Sequence, residues 1–380
     1  MKLSQRLLSI DAFRALTMLT MIFVNDVSGV SNIPAWIEHT KAQDDGMGFA
    51  DAVFPAFLFI VGLSIPIAIG KRISRNDSFM RTAWHIITRS FALILMGFFH
   101  VNLENYPESA VLPLPVWEII VTIAFFLIWL DYPETMNKVR RYTLEVTGVV
   151  LLLVMASLYE GGMKPSWWGI LGIIGWSYLI CAMLFLIVEG KLPALLIILG
   201  VFMAINILNH GGWFVRAIPV LGNAGHEALI MAGAVMTTLL LKLSGNRRKQ
   251  LLTFTLIGAG AIALGFILRP YTAGISKIRV TPAWILICSG ISILIFNLMI
   301  WLVDVKGKMN WFNVIRPAGT STLTCYLLPY LIYSVLMLSH ARYPAVLSEG
   351  IGGILRSIAM AFIVILIVGW MEKKKVRLKI

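Results

Sequence analysis

The chain is a succession of apolar runs, each near the roughly 20 residues that carry an α-helix across a bilayer. About twelve such runs centre on Leu16, Ile60, Leu93, Ala124, Leu151, Tyr178, Ile198, Val235, Ile262, Leu294, Leu327 and Phe362. In hydrocarbon every backbone N–H and C=O must find a partner within the protein, so continuous runs of this length fold as helices. A transmembrane β-barrel would show short alternating segments instead. Composition agrees, with 58% hydrophobic and only 13% charged residues and a mean hydropathy of +0.84, where a soluble domain carries about 25% charged residues. The expectation is an all-α, polytopic integral membrane protein of about 10–12 transmembrane helices, forming one domain over residues 1–380.

The net charge of +13 does not point to nucleic acid, because Lys and Arg concentrate in alternate loops as the positive-inside rule requires. Loops with Lys71, Arg72, Arg75 and Arg81, with Lys138, Arg140 and Arg141, with Lys242, Arg247, Arg248 and Lys249, and with Lys306, Lys308 and Arg316 are expected to be cytoplasmic. The loops between them hold Glu38, Asp44 and Asp45, then Glu104 and Glu108, then Glu160. Arg269, Lys277 and Arg279 break the pattern by placing positive charge in an outside loop. An even number of crossings puts both termini in the cytoplasm, and the tail MEKKKVRLKI reads as an anchor for the last helix. Lys2 and Arg6 precede the first run as in a signal peptide, but Asp11 and Arg14 interrupt it and no small-x-small site follows, so an uncleaved first helix is expected. The segments around Tyr178 and Ile198, joined only by VEGKLP, read as a tight pair of spans or as partly re-entrant.

Ionisable residues at the ends of membrane helices are costly to desolvate and call for a reason. The first two runs and their connecting loop, residues 6–70, hold Asp11, Arg14, Asn25, His39 and Asp51. Asp11 and Arg14 lie three apart on one helical face, where they form either an orienting ion pair or a site for an anionic cofactor. Asn25 either terminates its helix or donates a hydrogen bond to an oxygen gaining negative charge. His39 is either a partly solvated loop residue or a general base. Asp51 in the first turn suits the helix dipole. Pro55 and Pro66 are expected to kink the second helix, and Gly62 to allow close packing.

Cys181, Cys288 and Cys325 lie inside apolar runs with no metal or disulfide spacing, and the remaining histidines show no ligand spacing, so no metal is expected. There is no P-loop, no dinucleotide-binding glycine motif, no GxSxG and no HExxH. Residue chemistry alone therefore leads to a polytopic membrane protein with a polar site between its first two helices.

The opening stretch resembles the transmembrane acyltransferases related to heparan-α-glucosaminide N-acetyltransferase. RLLSIDAFRALTMLTMIFVN is similar to that family's R-x-x-S-x-D-x-F-R-G opening and its V-N pair, and ADAVFPAFLFIVGLSI to its A-D-x-V-F-P block. GISKIRVTPAWILICSG resembles its N-K-x-L-W segment, VDVKG its D-V-K-G, and RPAGTSTLTCYLL its G-x-N-S/A-x-x-x-Y helix. There are departures: Ala15 replaces a glycine, Ser321 stands where the family usually has Asn, and the Arg of a G-V-L-Q-R segment is missing near VLPLPVWEII. A D-P-E-G segment looks replaced by GNAGHEA, leaving Gly225 and Glu227 as loose matches, and a divergent branch is implied.

The resemblance implies an acyltransferase moving an acetyl group from cytosolic acetyl-CoA to the amine or hydroxyl of an amino sugar or glycan, such as a glycosaminoglycan end, on the periplasmic side of a bacterial inner membrane. His39 matches the family's catalytic histidine, Asn25 the residue contacting the acyl group, and Asp51 the A-D carboxylate. Asp11 and Arg14, with Arg72, Arg75, Arg81, Lys306 and Arg316 for the CoA phosphates, are the expected cofactor contacts. Expected partners are the glycan acceptor, membrane lipids and a second copy in a homodimer, with no nucleic acid. The rival class is a secondary transporter for a sugar or organic acid, which would need ion-coupling carboxylates near the midplane; Glu118 and Glu145 fall near expected span ends instead.

Overall fold

A computed structural model describes residues 7–212 and 220–380; Lys2 and Arg6 lie outside the described residues. Among the described residues the regular structure is helical. In order, the helices are α1 (Leu8–Val27), α2 (Phe49–Ile73), α3 (Phe79–Val101), α4 (Leu114–Trp129), α5 (Lys138–Ser157), α6 (Gly169–Ile187) and α7 (Leu192–His210). There follow α8 (Gly225–Lys242), α9 (Arg247–Leu268), α10 (Pro282–Met299), the short α11 (Arg316–Thr320), α12 (Thr322–Leu338) and α13 (Gly350–Lys373). Eight stretches are long and apolar enough to cross a membrane, formed by α1, α2, α3, α6, α7, α9, α10 and α13 with the short extensions of α9 and α10; α4 and α12 are shorter apolar helices. The chain is a polytopic membrane protein. The remaining two long helices depart from the apolar pattern for different reasons. The first turns of α5 carry Lys138, Arg140, Arg141 and Glu145. In α8, by contrast, nearly every residue is buried, Glu227 and Thr237 included, and a helix sheathed in protein need not be apolar all round.

The segment around Tyr178 and Ile198 is a pair of separate helices, α6 and α7. Glu189 and Gly190 turn the chain between them with φ of 54° and 64°, the left-handed region that a tight reversal uses.

The chain divides into two compact units, one comprising residues 1–17, 34–90 and 174–313, the other residues 18–33, 91–173 and 314–380. In the first unit α2 and α8 approach closely enough that a Cβ on Gly62 would strike the carbonyl of Ile230, and one on Gly233 the carbonyl of Phe59. The Thr237 hydroxyl closes this contact by donating to the Leu63 carbonyl at 2.9 Å. The α9–α10 pair is pinned by Asn297, whose amide donates to the Leu251 carbonyl at 2.9 Å and to Thr255 Oγ1 at 3.0 Å. Arg14 bonds Asp11 at 3.3 Å and the Ser64 hydroxyl at 2.7 Å, which ties α1 to α2.

Several carboxylates of the second unit are paired with hydroxyls or cations, which lowers the cost of burying them. Asp26 accepts from the Tyr333 and Ser357 hydroxyls and pairs with Arg356 at 3.0 Å. The Ser334 hydroxyl donates to Glu118. The His100 ring stacks on Tyr330 with centroids 4.3 Å apart. The basic tail folds back: Arg377 and Lys379 bond Asp131 at 2.9 and 3.1 Å, and the Leu378 N–H donates to Thr324.

Gly62→Ala and Gly233→Ala are expected to lower the thermal midpoint of the detergent-solubilised protein, since overpacking of this kind costs about 1–3 kcal/mol. Gly200→Ala, whose added Cβ meets no atom, leaves the midpoint unchanged or slightly raised, as helix propensity alone dictates.

Candidate active site

The site is built on the first turn of α2, in the first unit. Asp51 sits at the third helical position, and its backbone N–H bonds the Gly48 carbonyl at 3.1 Å. Its side chain turns back over the helix start, so that Oδ2 accepts the N–H groups of Gly48 at 3.0 Å and Thr40 at 2.9 Å. A carboxylate here satisfies donors that a helix start leaves open and faces the positive end of the dipole. The same carboxylate presents Oδ1 to Nδ1 of His39 at 2.7 Å. Asp51 is 1% exposed and His39 42% exposed, so an inner acid holds an outer imidazole. The α10 residue Trp284 donates its indole N–H to the Asp51 carbonyl at 3.2 Å and locks the turn from the other side.

This arrangement assigns the histidine tautomer. An ionised carboxylate only accepts, so Nδ1 carries the proton that it donates to Oδ1, and Nε2 keeps its lone pair. Nε2 is then a base held in one orientation.

The loop joining α9 to α10 brings a cation to the same place. Lys277 Nζ lies 3.2 Å from His39 Nδ1 and 4.0 Å from Asp51 Oδ1. Burial pushes the Lys277 ammonium below its usual range, while the Asp51 charge opposes that shift. The loop is clamped at both ends. Asp45 Oδ1 accepts the Ile275 N–H at 2.7 Å, and Arg269 Nε bonds Asp45 Oδ2 at 2.9 Å. The Arg279 carbonyl accepts from Asn223 at 3.2 Å and faces His210 Nε2 at 2.8 Å, and the Val280 carbonyl accepts from Asn206 at 3.1 Å. Gly274 has a φ of +77°, and any Cβ there would run into the Asp45 carboxylate. Two of the three cations in this loop thus have partners, because Arg269 pairs with Asp45 and Lys277 reaches the dyad.

Of the residues singled out in the sequence, the structure brings together His39 and Asp51. Asp11 and Arg14 form the orienting pair and bond α2. Asn25 is exposed at the end of α1, in the second unit, where its neighbour Asp26 is the buried residue. Arg72 and Arg81 both pair with Asp77, at 3.1 and 3.4 Å, and Arg75 is exposed beside them. Lys306 lies over the Trp301 ring at 5.6 Å, and Arg316 is exposed in the second unit. Among the described residues no group of three His, Cys, Asp or Glu side chains has the geometry to hold a metal ion. Sequence reasoning passed over Lys277 as a site residue; the signals that pointed to it were its charge in a loop expected to lie outside and its place in the segment resembling N-K-x-L-W.

Site and fold define an integral membrane protein with a histidine–carboxylate dyad at the start of a membrane helix. Residues 6–168 match a family described as "Domain of unknown function (DUF5009)". The chain is similar to human heparan-alpha-glucosaminide N-acetyltransferase, 39% identical over 104 residues that make up 27% of this chain and 15% of that protein. It is also similar to the Mus musculus heparan-alpha-glucosaminide N-acetyltransferase, 31% identical over 144 residues, 35% of this chain and 21% of that protein. The chain therefore matches about a fifth or less of the length of these curated relatives.

The Asp45 clasp has a defined pH sense. The Ile275 N–H, then Arg269 and the Arg269 and Arg279 charges, hold the Asp45 carboxyl below its usual range against burial. A carboxyl lowered on folding stabilises the fold above its unfolded pKa, and that contribution is lost as pH falls through the folded value. Amide exchange at Ile275, corrected for intrinsic rate, is expected to be protected at about pH 7 and to lose protection below about pH 4. In Asp45→Asn protection is reduced at neutral pH and that acid step is absent.

Proposed function

We propose that this protein is a membrane-embedded acetyltransferase that moves an acetyl group from cytosolic acetyl-CoA to the amine or hydroxyl of an amino sugar or glycan across the membrane. The observation that carries the reading is the His39–Asp51 dyad, in which a buried carboxylate bonds one nitrogen of an exposed imidazole and leaves the other as the base. The similarity to N-acetyltransferases supports it. His39 Nε2 takes the proton from the attacking amine or hydroxyl, and Asp51 stabilises the imidazolium that results. The acceptor displaces CoA from the thioester, and the imidazolium returns its proton to the departing thiolate.

In this reading the membrane is a bacterial inner membrane with both termini in the cytoplasm, and the dyad opens to the periplasm. Arg72, Arg75, Arg81, Lys306 and Arg316 then lie on the side of the CoA phosphates, which charge-assisted hydrogen bonds from such side chains suit. Arg72 and Arg81 share Asp77, so phosphate binding there exchanges one anionic partner for another. Roles of Asn25 toward the acyl group and of Asp11 and Arg14 toward the cofactor rest on the resemblance.

The test is transfer of radiolabel from acetyl-CoA to a panel of amino sugars by the purified protein. Wild type is expected to acetylate at least one, and His39→Ala to lower kcat/KM by about 10²–10⁴. Asp51→Asn is expected to fall within the same range, because the tautomer and orientation of His39 are no longer imposed. Transfer that survives His39→Ala removes the base, and failure of wild type to acetylate any acceptor removes the activity.

A further inference from the structure

We propose that Lys277 is a further catalytic residue, whose ammonium faces the thioester oxygen and stabilises the negative charge that oxygen acquires when the acceptor attacks. The inference rests on the acetyltransferase reading above.

It starts from hydrogen-bond capacity. His39 Nδ1 has one site in the ring plane, and its 2.7 Å contact with Asp51 Oδ1 uses it for a proton pointing at the carboxylate. No lone pair is left there for a Lys277 N–H, so the 3.2 Å separation of Nζ and Nδ1 is proximity and not a hydrogen bond. Asp51 already receives three N–H donors, from His39, Thr40 and Gly48. Its Oδ1 is 4.0 Å from Nζ, beyond the 2.7–3.2 Å of a hydrogen bond.

At that distance the Asp51 charge holds the ammonium in place as an ion pair without taking up its N–H donors. Lys277 is only 26% exposed. An ammonium partly withdrawn from water gains from a further negative charge brought by a ligand more than a fully hydrated one does.

The placement is fixed in advance, because the clamps at Asp45, Asn206 and Asn223 hold the loop on either side of Lys277. Donors held in place before the reaction are the ones that stabilise a developing oxyanion, since they need no reorganisation when the charge appears.

The step balances. The acceptor nitrogen or oxygen lone pair attacks the thioester carbon, and the carbonyl π pair moves onto oxygen, opposite the Lys277 ammonium. His39 Nε2 takes the acceptor proton. The carbonyl then re-forms, the C–S bond breaks, and the thiolate takes the proton from His39. The products are the acetylated acceptor and the CoA thiol.

The test compares wild type, Lys277→Met and Lys277→Arg with acetyl-CoA and the amino sugar that wild type acetylates best. Lys277→Met is expected to lose about 10²–10³ in kcat, with KM for both substrates within about threefold of wild type. Lys277→Arg, which keeps the charge, is expected to recover at least about tenfold of that loss. Calorimetric titration with CoA and the thermal midpoint of each variant exclude misfolding, and if the Met variant does not fold, Lys277→Gln takes its place. A kcat within about threefold of wild type, a loss confined to KM, or a loss that Arg does not restore overturns the role of Lys277 and leaves the acetyltransferase intact. A wild type that acetylates nothing overturns both.

Discussion

Everything at the candidate site depends on how one buried carboxylate is satisfied. Asp51 lies at the start of a membrane helix, where an unpaired charge is among the costliest groups a chain can carry. Two backbone N–H groups and an imidazole resolve that cost, and in doing so they join two tasks. The carboxylate that starts α2 is also the carboxylate that orients His39. A helix start can be satisfied by many polar residues, but only an acceptor with two oxygens can hold the N–H groups of Gly48 and Thr40 on one and an imidazole on the other. The loop from residue 34 to 48 is folded onto the helix by the same bonds, so the base, its partner and the helix entry form one unit of structure.

The second constraint is the loop between α9 and α10. Its positive residues break the alternation of loop charge read from the sequence, and the structure gives two of them partners. Arg269 belongs to Asp45 and Lys277 is left beside His39, while the backbone carbonyl of Arg279, not its charge, meets the ends of α7 and α8. Clamping costs conformational freedom, and here it holds a cation at a base. That is the arrangement expected where charge changes hands, because a fixed charge acts on a reacting group without first having to find it.

Much of the fold was legible in the sequence. Apolar runs marked the helices because hydrocarbon leaves the backbone no other way to satisfy its polar groups. The (i, i+3) spacing of Asp11 and Arg14 announced their pair, and Asp51 announced a helix start. Other features were hidden. Asn25 and Asp26 are adjacent, about 100° apart around a helix, and spacing offers no reason to bury the acid and expose the amide; Tyr333, Arg356 and Ser357, distant in sequence, make that choice. The turn at Glu189 and Gly190 separates α6 from α7. The tail that reads as a basic anchor for the last helix is held by Asp131.

By itself the sequence determined the class: a helical membrane protein with ionisable residues at the ends of its first two helices. Periodicity and hydropathy suffice for that, since the bilayer judges each segment by its own composition. Only the tertiary structure decided that His39 has a partner, which of its nitrogens is free, and that Lys277 joins it from 238 positions away. Those facts are distances between segments, and a distance between segments is set by packing: by the glycines that let α2 meet α8, the indole that fixes α10 against the α2 start, and the clasp that holds the Lys277 loop in place.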